Sequence, residues 1–93
     1  MARKVFFNDK FVNEFEAKIS IYDSALMFGD MVFEMTRSFN HKQFLLEDHI
    51  DRLLTGLKIL RIPVKYNKKQ ILKICENTIK KNSKYFKKDD EHR

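Results

Sequence analysis

The apolar residues of this chain change their spacing near Glu47, and that switch constrains the fold more than any other feature. Before it they alternate. Met31, Phe33, Met35, Arg37 and Phe39 fall on one face of an extended run, and Val32, Glu34, Thr36 and Ser38 on the other. After it, Ile50, Leu53, Leu54, Leu57 and Leu60 recur at helical spacing. A period of two followed by one of 3.6 predicts strands first and helices after. The expected class is α+β, a small antiparallel sheet of hairpins with two amphipathic helices on one face.

Local signals place the elements. Lys4-Val5-Phe6-Phe7 reads as a strand, and Asn8-Asp9 suits a tight left-handed turn into a second strand, Lys10-Phe11-Val12. Residues 13–18 read as an exposed connection and residues 19–22 as extended. Asp23-Ser24 can cap one helical turn through Phe28, which Gly29-Asp30 breaks. The β-rich run 31–39 follows, then a second hairpin turn at Asn40-His41 and a return through Lys42-Gln43-Phe44-Leu45-Leu46. Glu47 and Asp48 place acids at the positive end of the first long helix. That helix is expected to end near Arg61, because Pro63 disfavours helix in the residue before it. Asn67 can cap a second helix over residues 68–81, with Ile71, Leu72, Cys75 and Ile79 inward. Periodicity ends at Asn82. Residues 1–82 are expected to form one domain, and residues 83–93 a polar, mobile tail.

The 43% apolar share of the 93 residues suffices for one core. Nine Phe against two Gly and one Pro argue for regular structure. Cys75 is the sole cysteine, which excludes a disulfide framework and a cysteine-based zinc site, and no histidine lies in a cluster with metal-ligand spacing. No apolar run follows the Met-Ala-Arg-Lys start, and none approaches the ~20 residues that span a bilayer. The expectation is a soluble, cytoplasmic protein without a membrane partner.

The net charge of +6 is concentrated late in the chain. Residues 61–88 hold ten basic side chains against one acidic, whereas residues 1–60 hold eight basic and nine acidic. A basic module that binds nucleic acid is one reading. A solvated lysine-rich helix face is favoured over it, because the segment has few arginines and the strands lack the aromatic order of RNA-binding sheets.

Arg37 interrupts an otherwise apolar strand face. It either snorkels to water at an edge or meets an anion. His49 and Arg52 share one face near a helix start, where free N–H groups and the dipole favour an anion such as phosphate. The competing possibility is an exposed pair between Arg52 and Asp48. Ser20, Ser24 and Tyr22 have no base at readable spacing, so no nucleophilic triad is indicated, and Cys75 reads as inert core.

Taken in order, these segments resemble class IV pyridoxal-phosphate (PLP) enzymes, the D-amino-acid and branched-chain aminotransferase family of fold type IV. Ala17-Lys18-Ile19-Ser20-Ile21-Tyr22-Asp23-Ser24-Ala25-Leu26-Met27-Phe28-Gly29-Asp30-Met31-Val32-Phe33-Glu34 is similar to the family's segment that ends in G-V-F-E. Phe44-Leu45-Leu46-Glu47-Asp48-His49-Ile50-Asp51-Arg52-Leu53 resembles its F-x-L-x-x-H-x-x-R-L, and Phe7-Asn8-Asp9-Lys10-Phe11-Val12 its opening hairpin. Met31 departs from the pattern, standing where a small glycine is usual, and so does His41, standing where a turn glycine is usual.

The resemblance implies the N-terminal small domain of an aminotransferase that passes an amino group between an amino acid and a 2-oxo acid. It implies PLP as cofactor in the full-length enzyme and a homodimer. Arg52 would hold the cofactor phosphate with support from His49. Phe28 and Phe33 would line the substrate pocket, and Arg37 would meet a substrate carboxylate. No catalytic residue is expected in this chain: the family's catalytic lysine lies in a larger domain beyond it, so the chain alone is expected to be silent and not to hold PLP. An aminodeoxychorismate-lyase-type enzyme shares these motifs and stays open as an alternative, as does a non-catalytic basic module.

Overall fold

The computed structural model describes residues 2–39 and 42–85. Its first element is a hairpin of β1 (Lys4–Phe7) and β2 (Lys10–Asn13), paired Lys4 to Asn13 through Phe7 to Lys10. Asn8 and Asp9 turn it with φ of 48° and 72°. Two successive positive φ values match the right-handed twist of the strands, as the sequence predicted. Phe6 and Phe11 face each other edge-on across the ladder at 5.2 Å.

A short 3-10 turn (Glu14–Glu16) leads through an extended stretch to α1 (Ser24–Phe28). Asp23 accepts the Ala25 N–H, and Gly29 ends the helix in the left-handed region at φ 70°. The conformation favours glycine, and this position is one of the chain's two glycines.

The run 31–39 departs from expectation. Only β3 (Ser38–Phe39) pairs, with β4 (Lys42–Gln43), so the described residues form two separate two-stranded sheets. The expected return strand through Leu46 is reduced to β4, and the turn at Asn40-His41 lies outside the described residues. The alternation itself is present, and its apolar-rich face turns outward. Val32, Glu34 and Thr36 are half-buried, while Met31, Phe33, Met35 and Arg37 are exposed. The reason lies in α2 (Leu46–Ile59). His49, Arg52 and Gly56 recur at three and four residues on one face of it, and Val32 and Glu34 lie against that face, while Thr36 meets Gln43 of β4.

The start of α2 is set by Leu45, left-handed at φ 53°, with Glu47 and Asp48 in the first turn. Its end is two residues earlier than the expected Arg61. Ile62 N donates to Leu57 O, Arg61 N donates to Lys58 O, and Arg61 is left-handed at φ 57°. That bond pair is the Schellman termination, with arginine where glycine is usual.

A capping box of Asn67 and Gln70 opens α3 (Lys68–Asn82). It packs on α2 and β1. Asn82 clips the outer edge of β1: its Oδ1 accepts from Lys4 N at 2.8 Å and its Nδ2 donates to Lys4 O at 2.7 Å. Ser83–Tyr85 continue as a 3-10 turn, and Tyr85 OH donates to Ala2 O. Ser83–Tyr85 are the first residues of the stretch read as tail, and residues 86–93 lie outside the described residues. Among the described residues, Val12 and Ile50 are the buried apolar side chains.

Candidate functional site

Glu34 organises the site. It lies on the half-buried face of the extended segment, with its side chain 15% exposed. His49 Nδ1 is 2.6 Å from its Oε1, and Arg52 Nε donates to its Oε2 at 3.0 Å. The His49 hydrogen bond, first, and then the Arg52 guanidinium hold the Glu34 carboxyl below its usual range. An ionised carboxylate only accepts, so the ring proton of His49 sits on Nδ1. One carboxylate thus joins the two residues that the sequence singled out for an anion.

Arg52 is not held at the helix start, where Glu47 and Asp48 already occupy the first turn; it is held six residues in, by Glu34. That contact uses Nε alone, and the arginine side chain stays 75% exposed. The two terminal amino groups take no part in the bond to Glu34. A planar guanidinium fixed by Nε presents its remaining edge as a fork, a geometry suited to two oxygens of a phosphate.

Arg37 lies on the exposed face of the segment. With Met35, Phe44 and His49 it lines an open concavity of about 580 Å³. His49 thus belongs both to the Glu34 cluster and to the wall beside Arg37. Phe28 and Phe33 do not line this concavity. Phe28 projects from α1 at 73% exposure, and Phe33 from the segment at 70%. The structure therefore brings together Arg52, His49 and, through the shared wall, Arg37. It leaves the two phenylalanines outward.

Sequence reasoning missed Glu34 as the common partner. It sat unremarked in the Val32-Phe33-Glu34 string, and the available signal was a lone acid on a segment followed by a helix bearing His49 and Arg52. A second missed cluster is the clamp on the first hairpin turn, where Lys65 Nζ and Tyr66 OH both donate to Asp9. The Lys65 hydrogen bond, then that of Tyr66, lowers the Asp9 carboxyl below its usual range, and the Asp9 bond raises both Lys65 and Tyr66. The late basic segment is partly engaged internally as well: Lys68 pairs with Asp51 at 3.1 Å, and Lys81 lies 4.8 Å over the Phe11 ring.

With this geometry in place, the chain belongs to the amino-transferase class IV family, whose profile matches residues 31–89. It is similar to the putative branched-chain-amino-acid aminotransferase of Methanocaldococcus jannaschii, 38% identical over 80 residues, covering 86% of this chain and 28% of that protein. It is similar also to the D-alanine aminotransferase of Staphylococcus epidermidis, 31% identical over 80 residues with the same coverage. Its fold matches a branched-chain aminotransferase from Thermoproteus uzoniensis, solved with norvaline. The TM-score is 0.84 and the identity 29%, over 98% of this chain and 31% of that one. The α+β arrangement is therefore that of a small part of such an enzyme, and the chain spans less than a third of the length of these relatives. No helix among the described residues is long and apolar enough to cross a membrane.

Proposed function

We propose that this chain is the small N-terminal part of a PLP-dependent aminotransferase that transfers an amino group between an amino acid and a 2-oxo acid. The observation that carries this reading is the joined Arg52–Glu34–His49 cluster, inside the stretch matched by the family profile. The donor set fits the cofactor's phosphate, because the arginine has a fixed plane and a forked edge unused by Glu34. When bound, PLP supplies the electron sink that such transfers require.

In this proposal Arg52 grips phosphate oxygens from α2, and His49 Nδ1 holds the proton shared with Glu34. Arg37, across the concavity from His49, orients a substrate carboxylate. Met31, Phe33 and Met35 form an exposed apolar face on the segment. This face and Phe28 are covered in the complete enzyme by its larger domain and by a partner subunit, where the two phenylalanines line the substrate pocket. The catalytic lysine is supplied by that larger domain, so the chain alone neither retains PLP nor turns over substrate, and the complete enzyme works in the cytoplasm.

The test combines this chain with a polypeptide bearing the larger domain and follows the PLP absorbance shift. Reconstitution is expected, with Arg52→Ala releasing PLP more readily. Equal PLP retention by Arg52→Ala would remove the phosphate role.

A further inference from the structure

We propose that Glu34 is a positioning residue: by taking Arg52 Nε and His49 Nδ1 on its two carboxylate oxygens, it fixes the plane of the guanidinium so that the outer edge meets an incoming phosphate. The proposal rests on the reading of Arg52 as the phosphate-binding residue and deepens it.

The geometry is specific. The two partners use different oxygens, Oε1 for His49 and Oε2 for Arg52. Glu34 therefore cannot swing toward one partner without releasing the other. Its own side chain is 15% exposed, whereas that of Arg52 is 75% exposed. An arginine so exposed has many rotamers, and ordering them on binding has an entropic cost. Anchoring Nε beforehand removes part of that cost. The segment bearing Glu34 is held on either side of it. Val32 abuts Gly56, and Thr36 Oγ1 donates to Gln43 Oε1.

Charge alone predicts the opposite behaviour, and this makes the proposal testable. Glu34 is an anion beside an anion site. If it acted only by charge, its removal would tighten phosphate binding. If it positions Arg52, its removal weakens binding despite the relief of repulsion.

The experiment titrates the PLP-free assembly of this chain and the larger-domain polypeptide with inorganic phosphate, the variants being made in this chain. Binding and the Arg52 Nε–H resonance are followed by NMR in the unmodified chain, Glu34→Gln, Glu34→Asp and Arg52→Ala. The expected result is a protected Nε–H in the unmodified chain that becomes fast-exchanging in Glu34→Gln. Phosphate affinity then falls about threefold to tenfold, the worth of one net hydrogen bond. Glu34→Asp, a shorter carboxylate that guards against a folding defect of the glutamine variant, keeps the charge but not the reach, and it should weaken binding likewise. Unchanged or tighter phosphate binding in both Glu34 variants, with Arg52→Ala still defective, overturns the positioning role and leaves the phosphate reading standing. Equal phosphate response in the unmodified chain and Arg52→Ala overturns the phosphate reading, and the role of Glu34 falls with it.

Discussion

Val32 and Gly56 are in close register: a Cβ built on Gly56 would lie 3.0 Å from Val32 Cγ1. This contact seats the extended segment on α2 and brings Glu34 over His49 and Arg52. Alanine at position 56 would gain about 1 kcal/mol of helix propensity. It would also force the β-branched Val32 away at an overpacking cost of about 1–3 kcal/mol. Gly56→Ala is therefore expected to lower the urea midpoint. In a Val32→Ala background the same change should raise it, because the clash is gone and the propensity gain remains. A double-mutant cycle checks the sign reversal, and additive effects would show that the contact carries no energy.

Acid should weaken the fold through two carboxylates. Glu34 and Asp9 are both held below their usual values of 4.5 and 3.8. A carboxyl lowered in the folded state stabilises it above its unfolded pKa, and that stabilisation is lost as pH falls through the folded value. The urea midpoint should thus hold steady near neutrality and decline below about pH 4.5. Glu34→Gln and Asp9→Asn should each flatten part of that decline; a slope unchanged in both would show that other groups govern it.

Arg61 occupies the left-handed position after α2 at φ 57°. A side chain there costs about 1–2 kcal/mol, while glycine loses roughly 0.5–1 kcal/mol through unfolded-state entropy. Arg61→Gly is expected to raise the thermal midpoint modestly. A lower midpoint would mean that the arginine side chain contributes a contact larger than the strain.

Asn82 joins the two ends of the domain through the backbone of Lys4. Asn82→Ala should cost about 1–2 kcal/mol and speed hydrogen exchange at the Lys4 amide before that of the α3 interior. Exchange at Lys4 that matches the unmodified protein would show the clip to be dispensable.

Much of the local structure was legible in the residue order. Asn8-Asp9 tolerate positive φ, Asp23 and Asn67 accept the first helical N–H groups, and Gly29 stops α1; each depends on neighbours within a few residues. The candidate pair His49 and Arg52 was legible for the same reason, since helical spacing alone places them on one face. The end of α2 was only approximately legible, because the termination used Arg61 itself in the left-handed region rather than stopping at the residue before Pro63.

The inner face of the run 31–37 could not be read in this way. Alternation states that two faces exist; which one turns inward depends on what lies across from it. The apolar residues Met31, Phe33 and Met35 suggested one face, but the notch at Gly56 and the hydrogen-bonding reach of His49 and Arg52 drew in Val32 and Glu34. The sequence by itself determined the turns, the caps and the amphipathic helices, whose causes are local bonds and spacing. Only the tertiary structure decided that Glu34 joins His49 to Arg52 and that Asn82 closes on Lys4, because those partners are 15 and more residues apart and meet only when the helices pack.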